Sequence, residues 1–544
     1  MVFGIFIGIA FVFLSLSVNL ITNYFEAQKT KKSLKKMWGT LLHTQKRRGD
    51  TVDSLASSFL VRKKNILYDC YIDDDTWDNL DLQQIFSQIN STQTSLGGEL
   101  LYSKMRLLKF SIDDDFENLK SYLLENESVR ERIQNVLAKL GKKNNNLTFQ
   151  IVYGSGLQKV RYDRMYIILG LLPALSLLTA FINNILGSLI FIFSVSFNII
   201  FYVFRKYSLE LELERMSYLV RIIHVSNVLK KLDFPDSNVL ARDLNKFKIL
   251  NFLGYAFNYK TDVSETSIIF EYINAIFMIP FIAYSQLNSK LFKYNDSIKE
   301  ILDIISNLDA AISNLNYLEY SIYHCKPIFS NEKGLKAKEI YHPLLKNPVS
   351  NSIKFYNNIV ISGDNASGKS TFMRTTAINC ILAQSLNFAL AKYFSLSYGG
   401  VSSSINIGDN VMNGESHFVA EGKRIKILID NLSSDKFNYL FLDEIFSGTN
   451  SAERVSIGTS LMNWLKNENC LYMITTHDIE LIKSGIDFNK YYYFTSSQTT
   501  NKSDYKIREG ISTTTNAIAT LENLNYPNKI ISESKLKLKE FITV

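Results

Sequence analysis

One short segment, residues 359–370, restricts the fold more than any other part of the chain. Ile359, Val360, Ile361 and Ser362 read as a buried strand. Gly363 to Ser370 then follow the pattern G-x-x-x-x-G-K-S, and a helix is expected from Thr371. The glycines let the backbone turn its N–H groups, those around Ser367 included, toward an anion, and the following helix adds the partial positive charge of its N-terminus. Lys369 can reach the β- and γ-phosphates of a nucleotide, and Ser370 can offer its hydroxyl to Mg2+. A strand, a loop and a helix in this order demand a parallel α/β sheet around them.

Two later strands suit the same chemistry. Tyr439, Leu440, Phe441 and Leu442 run into Asp443 and Glu444. Asp443 is placed to hold the Mg2+ shell, and Glu444 to orient or deprotonate an attacking water. Cys470 to Thr475 forms another short apolar run, closed by Thr476, His477 and Asp478. A histidine at the carboxyl end of a parallel strand sits over the nucleotide crevice, where it can sense the γ-phosphate. The plainer reading of His477 is a helix-start residue beside an N-capping threonine.

The rest of the chain is different in texture. At 544 residues it exceeds one ordinary domain. Four scattered cysteines, without paired spacing, argue against a disulfide scaffold or a zinc site and fit a reducing compartment. A net charge of +8 permits contact with nucleic acid or an anionic membrane but selects neither. Residues 1–25 carry no charge and are followed by Lys29, Lys31, Lys32, Lys35, Lys36, Lys46, Arg47 and Arg48. That flank fits an anchor with its N-terminus outside. Residues 165–204 are also free of charge, with Arg161 and Arg164 before them and Arg205 and Lys206 after. A span needs roughly 20 apolar residues, so this run has the length of two, with Asn183 and Asn184 as the turn. A buried core helix pair is the alternative. A third apolar stretch, 267–286, contains Glu271, Asn274 and Pro280 and reads as a buried or interfacial helix, or as a further span. Segments 113–140, 207–232 and 290–323 carry apolar residues at helical spacing, among them Ile298, Ile301, Leu302, Ile305, Leu308, Ile312 and Leu315.

With these motifs in hand, the C-terminal two hundred residues resemble the ATPase domain of the MutS family, a branch of the ABC-type ATPases. The matching features come in order: His342 and Pro343; the loop 363–370 running on to Arg374; Ser416 and Phe418 with Glu421; Asp443 to Asn450; Thr475 to His477; and Gly510 to Leu521 with Tyr526 and Pro527. His417 departs from the small polar residue usual at its position. An upstream patch, with Phe86, Ile89, Asn90, Thr92, Thr94, Gly97, Leu100 and Leu101, is similar to the segment that opens the family's helical lever domain. The resemblance implies a homodimer with nucleotide between two ATPase domains. It implies that Gly363, Asn365, Gly368, Lys369, Ser370 and Thr371 bind phosphates and Mg2+, that Asp443 holds the metal, and that Glu444 is the base. It makes His477 the switch and Ser416 the contact to the γ-phosphate in trans. On this resemblance no counterpart of the family's mismatch-reading N-terminal domain is expected, and Phe25 and Glu26 lie at the edge of the first apolar run. The run 165–204 falls where family members carry a DNA clamp, so a membrane hairpin in place of the clamp is expected.

The expected fold is therefore an α/β P-loop (ABC-type) ATPase domain plus a mostly α-helical lever or core domain with transmembrane helices. The expected divisions are an anchor at 1–25, a cytoplasmic segment at 26–164 with the start of the helical core at about 76–140, and a transmembrane hairpin at 165–204. A helical lever at 205–334 and the ATPase domain at 335–544 follow. The expected activity is ATP hydrolysis with Mg2+ that drives conformational change at a membrane, with the soluble parts in the cytoplasm of a bacterial cell. The alternatives are a membrane-tethered reader of mispaired or branched DNA, and a scaffold that uses ATP to dimerise. The partners expected are a second copy and the lipid bilayer. DNA and an unidentified protein partner are open.

Overall fold

The computed structural model describes residues 22, 24–42, 44, 51–144, 146–154, 163–253, 265–363, 367–405, 417–432, 435–483, 489–496, 503–511, 518, 521–522 and 525–543. Most of the apolar run 1–25 lies outside them. The chain divides into two compact units. One gathers Ile89–Ser103, Asp114–Tyr320 and the described residues up to Leu67; the other gathers Tyr68–Gln88, Lys104–Asp113 and the chain from Ser321 onward. The second unit thus begins before residue 335 and takes in two upstream pieces, which the sequence reading assigns to the cytoplasmic segment 26–164.

The first unit is helical. Its longest helix, Asn295–Tyr320, buries Ile298, Ile301, Leu302, Ile305, Leu308, Ile312 and Leu315, the apolar series legible in the sequence. The expected helix over 113–140 is two, Asp114–Glu125 and Glu127–Leu140. They break at Asn126, whose side chain bonds back to the Tyr122 carbonyl at 3.0 Å, the local competition with helix that favours Asn at such positions.

Within the 165–204 run, helices Asp163–Ile182 and Asn184–Ser208 pack as a hairpin. Asn183 makes the turn, and its side chain caps the second helix by accepting from Leu186 N. Asn184–Ser208 is long and apolar enough to cross a membrane by length and composition. The third apolar stretch is split at Met278, which has a φ of +54°, into Glu265–Phe277 and Ile279–Lys293. Neither half alone reaches the roughly 20 residues of a span. Both halves pack on the hairpin, and the buried Asn198 amide donates to the carbonyls of Leu169 at 2.8 Å and Ile276 at 2.7 Å.

The patch around Thr94 and Gly97 is explained by one buried carboxylate. Asp309 accepts from Gln93 N at 2.9 Å, Thr94 N at 2.7 Å and the Thr94 hydroxyl at 2.6 Å, just ahead of helix Ser95–Arg106. A Cβ at Gly97 would meet its Oδ2 at 2.5 Å, so only glycine lets the two elements close.

Among its described residues the second unit holds three sheets. Its strands are β1 (Cys70–Tyr71), β2 (Leu107–Leu108), β3 (Ile328–Phe329), β4 (Leu335–Ile340), β5 (Asn351–Phe355) and β6 (Ile359–Gly363). Then come β7 (Tyr393–Leu396), β8 (Gly400–Ser404), β9 (Asn438–Asp443), β10 (Cys470–Thr475), β11 (Lys490–Ser496) and β12 (Ser503–Glu509). The main sheet runs β12-β11-β6-β10-β9-β8, parallel throughout except for the edge strand β12. A second sheet runs β3-β7-β4-β5, and β1 pairs with β2. Ile359, Val360, Ile361, Tyr439, Leu440, Phe441 and Leu442 are all buried, as continuous apolar strands of a sheet covered on both faces should be.

Burial pushes the Asp309 carboxyl up to about 6, against the three hydrogen bonds that favour its charged form. Its native pKa lies above the unfolded value of about 3.9, so the native state binds the extra proton and Asp309 contributes more stability as pH falls from 7 toward 4. Unfolding of the full chain in detergent, followed by circular dichroism, should show this. The stability of wild type relative to Asp309→Asn should rise by on the order of 1–2 kcal/mol between pH 7 and pH 5. A difference that stays flat with pH would exclude a titrating Asp309.

Candidate nucleotide site

The register of the main sheet decides which residues meet. Thr475 at the end of β10 lies opposite Ile361 of β6 and Asp443 of β9. The phosphate loop, Asp443 and the segment after Thr475 therefore leave the sheet at one edge, beyond the carboxyl ends of three adjacent parallel strands. Ligands bind at that place in open α/β sheets.

Gly363 has a φ of +139°, and a Cβ there would meet the Phe494 carbonyl oxygen at 2.5 Å. The first glycine of the loop is thus required both by its backbone and by the adjacent strand β11. Gly368, at φ +109°, caps helix Lys369–Leu386. The Lys369 side chain is buried and folds back to donate to the Gly363 carbonyl at 2.7 Å. The Ser370 hydroxyl donates to Asp443 Oδ1 at 2.9 Å, and the Thr475 hydroxyl donates to the same oxygen. A hydroxyl and a carboxylate in contact at the start of a helix are a hard-oxygen donor pair that suits Mg2+, with its remaining positions left to phosphate and water. The residues present therefore fit both ATP and Mg2+.

Glu444 follows Asp443 with a φ of +46°, and Phe446 has a φ of +56°. Two non-glycine residues in the left-handed region mark a strained turn. It is tied down from two sides. Glu444 N donates to the Thr475 carbonyl at 3.1 Å, and Phe446 N donates to the buried Glu421 carboxylate of helix His417–Asp430. The turn holds the Glu444 carboxylate 3.5 Å from His477 Nδ1. His477 draws the Glu444 carboxyl below its ordinary range, and Lys369 adds to this by its charge. Glu444 in turn raises His477. Arg454 grips Asp478 through two hydrogen bonds of 2.5 and 2.8 Å, fixing the residue next to the histidine.

Of the sequence-predicted site, Gly363, Gly368, Lys369, Ser370, Asp443, Glu444 and His477 come together. Ser367 is buried within the loop, and Thr371 is exposed on the first helical turn. Asn365 and Ser416 lie outside the described residues. The sequence reading missed Thr475 as a partner of Asp443 and Arg454 as a partner of Asp478. Both bonds cross between elements, so nothing in the local sequence announces them.

Residues 359–542 match MutS domain V. The endonuclease MutS2 of Streptococcus equi subsp. equi is 26% identical over 258 residues, 46% of this chain and 33% of the relative. The DNA mismatch repair protein MutS of Thermotoga maritima is 29% identical over 197 residues, 35% of this chain and 24% of the relative. The MutS protein homolog 4 of Mus musculus is 27% identical over 220 residues, 39% of this chain and 22% of the relative. The chain spans a third or less of the length of these curated relatives. Together the matches support the MutS family for the C-terminal region.

The Glu444–His477 pair makes a pH prediction. A histidine raised by a carboxylate contributes its stabilisation at low pH and loses it as pH rises through the raised pKa, whereas the lowered Glu444 loses its share as pH falls through its own. The pair is therefore intact between those two values. NMR of labelled histidine in the nucleotide-free chain, assigned with His477→Asn, should place the His477 titration above 6.5, and Glu444→Gln should return it toward 6.5. A titration unchanged by Glu444→Gln would mean that the two side chains are not paired in solution.

Proposed function

We propose that this chain is a membrane-anchored MutS-like ATPase that works as a dimer and couples ATP binding and hydrolysis to conformational change. The observation that carries this reading is the convergence of the phosphate loop, Asp443, Glu444 and His477 at the carboxyl ends of β6, β9 and β10. When bound, ATP supplies the scissile phosphoanhydride and Mg2+ neutralises its phosphate oxygens. Lys369 exchanges the Gly363 carbonyl for phosphate. Ser370 and Asp443 hold the metal. Glu444 orients or deprotonates the water, and His477 positions the Glu444 carboxylate. The loop around Asn365 and Thr371 completes the phosphate cradle, and Ser416 reaches the γ-phosphate held by the second copy.

The membrane part of the proposal rests on the hairpin. Ile168, Leu171, Leu175, Leu178, Ile185, Leu189, Phe193, Ile200, Val203 and Phe204 are exposed along its two helices. An apolar surface of this extent requires a partner, and among the described residues one of the two helices, Asn184–Ser208, has the length and composition of a bilayer span. With Arg164 before and Arg205 and Lys206 after, both ends face the cytoplasm of a bacterial cell. A second reading, a membrane-tethered DNA-binding ATPase, draws on the similarity to DNA mismatch repair proteins and to an endonuclease, and on the basic run from Lys29 to Arg48.

Hydrolysis by the purified chain in detergent, with and without mismatched duplex, separates these readings. Glu444→Gln should lower turnover by roughly 10²- to 10⁴-fold, the usual contribution of a positioned acid or base. Stimulation by DNA favours the tethered reader; indifference to DNA favours a membrane machine with a protein partner. No hydrolysis by wild type would leave only an ATP-dependent scaffold. Sedimentation with lipid vesicles should be lost when 1–25 and 165–204 are deleted, and retained binding would refute the anchor.

A further inference from the structure

Helix His417–Asp430 follows Ser416 directly in sequence, and its inner face is held by a cluster that domain V alone does not contain. Arg424 is buried on that helix. Its guanidinium donates to the Ser403 carbonyl of β8 through Nε at 3.0 Å and Nη2 at 2.6 Å. It also meets Asp75 at 3.0 Å, Asp73 at 3.0 Å and the Thr76 hydroxyl at 2.9 Å. These three partners lie some three hundred and fifty positions upstream. The short helix Asp74–Asn79 presents them. Asp73 caps it by accepting from Thr76 N at 2.7 Å, and the Thr76 hydroxyl accepts from Ser403 N at 3.1 Å.

Five residues after Thr76 the same segment grips a second element. Asp81, with a φ of +52°, pairs with Arg374 at 3.0 Å. Arg374 lies on helix Lys369–Leu386, the helix that the phosphate loop opens. The segment is itself clamped by Arg106, which donates to the Ile72 carbonyl at 2.9 Å and pairs with Asp74 at 2.5 Å while covering the Trp77 ring. Residues 73–81 thus form a strap with one attachment on the phosphate-loop helix and another on the helix that follows Ser416.

We propose that this strap is a positioning element for hydrolysis: it fixes the spacing between the phosphate-loop helix Lys369–Leu386 and helix His417–Asp430, whose Glu421 ties down the turn that carries Glu444. The proposal deepens the ATPase reading and rests on it. Arg424 is the stronger attachment. It is buried, it makes hydrogen bonds to two carboxylates, a hydroxyl and a carbonyl, and loss of its carboxylates leaves a desolvated charge with neutral partners only. Helix His417–Asp430, with its Glu421, can then shift and carry the turn of Glu444 with it, while Lys369, Ser370 and Asp443 keep their own contacts. The reaction should therefore lose turnover while the phosphate loop keeps its affinity.

The test compares the full chain in detergent with Asp73→Asn/Asp75→Asn and with Asp81→Asn. A fluorescent ATP analogue reads binding, steady-state hydrolysis reads kcat, and hydrogen exchange reads helix 417–430. The expected result for the double variant is a nucleotide Kd within about threefold of wild type and a kcat lower by about tenfold or more. Amide exchange should be faster in 417–430 and unchanged in β9 and β10. The conservative Asp73→Glu/Asp75→Glu variant should recover part of the kcat. A double variant that hydrolyses like wild type overturns the strap and leaves the ATPase reading intact. Kd, kcat and exchange in all strands failing together would mean a merely structural role and would also overturn it. A wild-type chain that neither binds nor hydrolyses ATP would overturn the ATPase reading, and this proposal with it.

Discussion

Met473 pairs with Ile359 on one side and with Phe441 on the other, and two residues further along the same register bring Thr475 level with Ile361 and Asp443. The chemistry of the chain depends on this alignment. A slip by one residue would move every side chain of a strand to the other face. Here it would carry Asp443 away from the Ser370 hydroxyl and break the donor pair for the metal. The register is fixed by the buried faces of β6, β9 and β10, where Val360, Leu440, Leu442 and Ile474 pack in one core with Met462 and Leu465. Hydrophobic burial sets the register, and the register sets the site.

The polar parts of the site follow a consistent logic of pairing. Lys369 rests on a loop carbonyl, Asp443 accepts from two hydroxyls, Glu444 faces His477 and Asp478 faces Arg454. Each of these groups is at least partly withdrawn from water, and such a group is costly without a partner. The Gly363 carbonyl beside Lys369 and the hydroxyls beside Asp443 are partners that phosphate and metal can displace. Beside these groups, the turn at Glu444 and Phe446 carries two non-glycine residues at positive φ, between Asp443 and the helix reached through Glu421.

In the helical unit, glycine and asparagine mark the places where packing is tightest. Gly97 lets Asp309 cap its helix, and Gly170 lies where a Cβ would meet the Phe277 carbonyl at 2.5 Å. Asn198 satisfies a carbonyl at the break near Met278 that the helix itself leaves open. The hairpin and the broken third stretch are therefore joined by a backbone approach and a buried amide as well as by apolar contact.

The sequence by itself determined the loop motif at 363–370, the two carboxylates at the end of β9, the histidine after β10 and the helical hairpin turning at Asn183. Each is a local pattern: a glycine spacing that permits positive φ, an apolar run ending in charge, or an uncharged stretch broken by an N-capping residue. Even Thr94 and Gly97 stood out, although their reason, Asp309, lies more than two hundred positions away. What only the tertiary structure decided is which distant groups complete these patterns. Arg424 with Asp73 and Asp75, Arg374 with Asp81, and Arg454 with Asp478 are ion pairs between separate elements. A charged residue carries no local sign of its partner, because the pairing depends on which surfaces the apolar core brings together. For the same reason residues 68–88 and 104–113, adjacent in sequence to the helical unit, are claimed by the unit that holds the candidate nucleotide site.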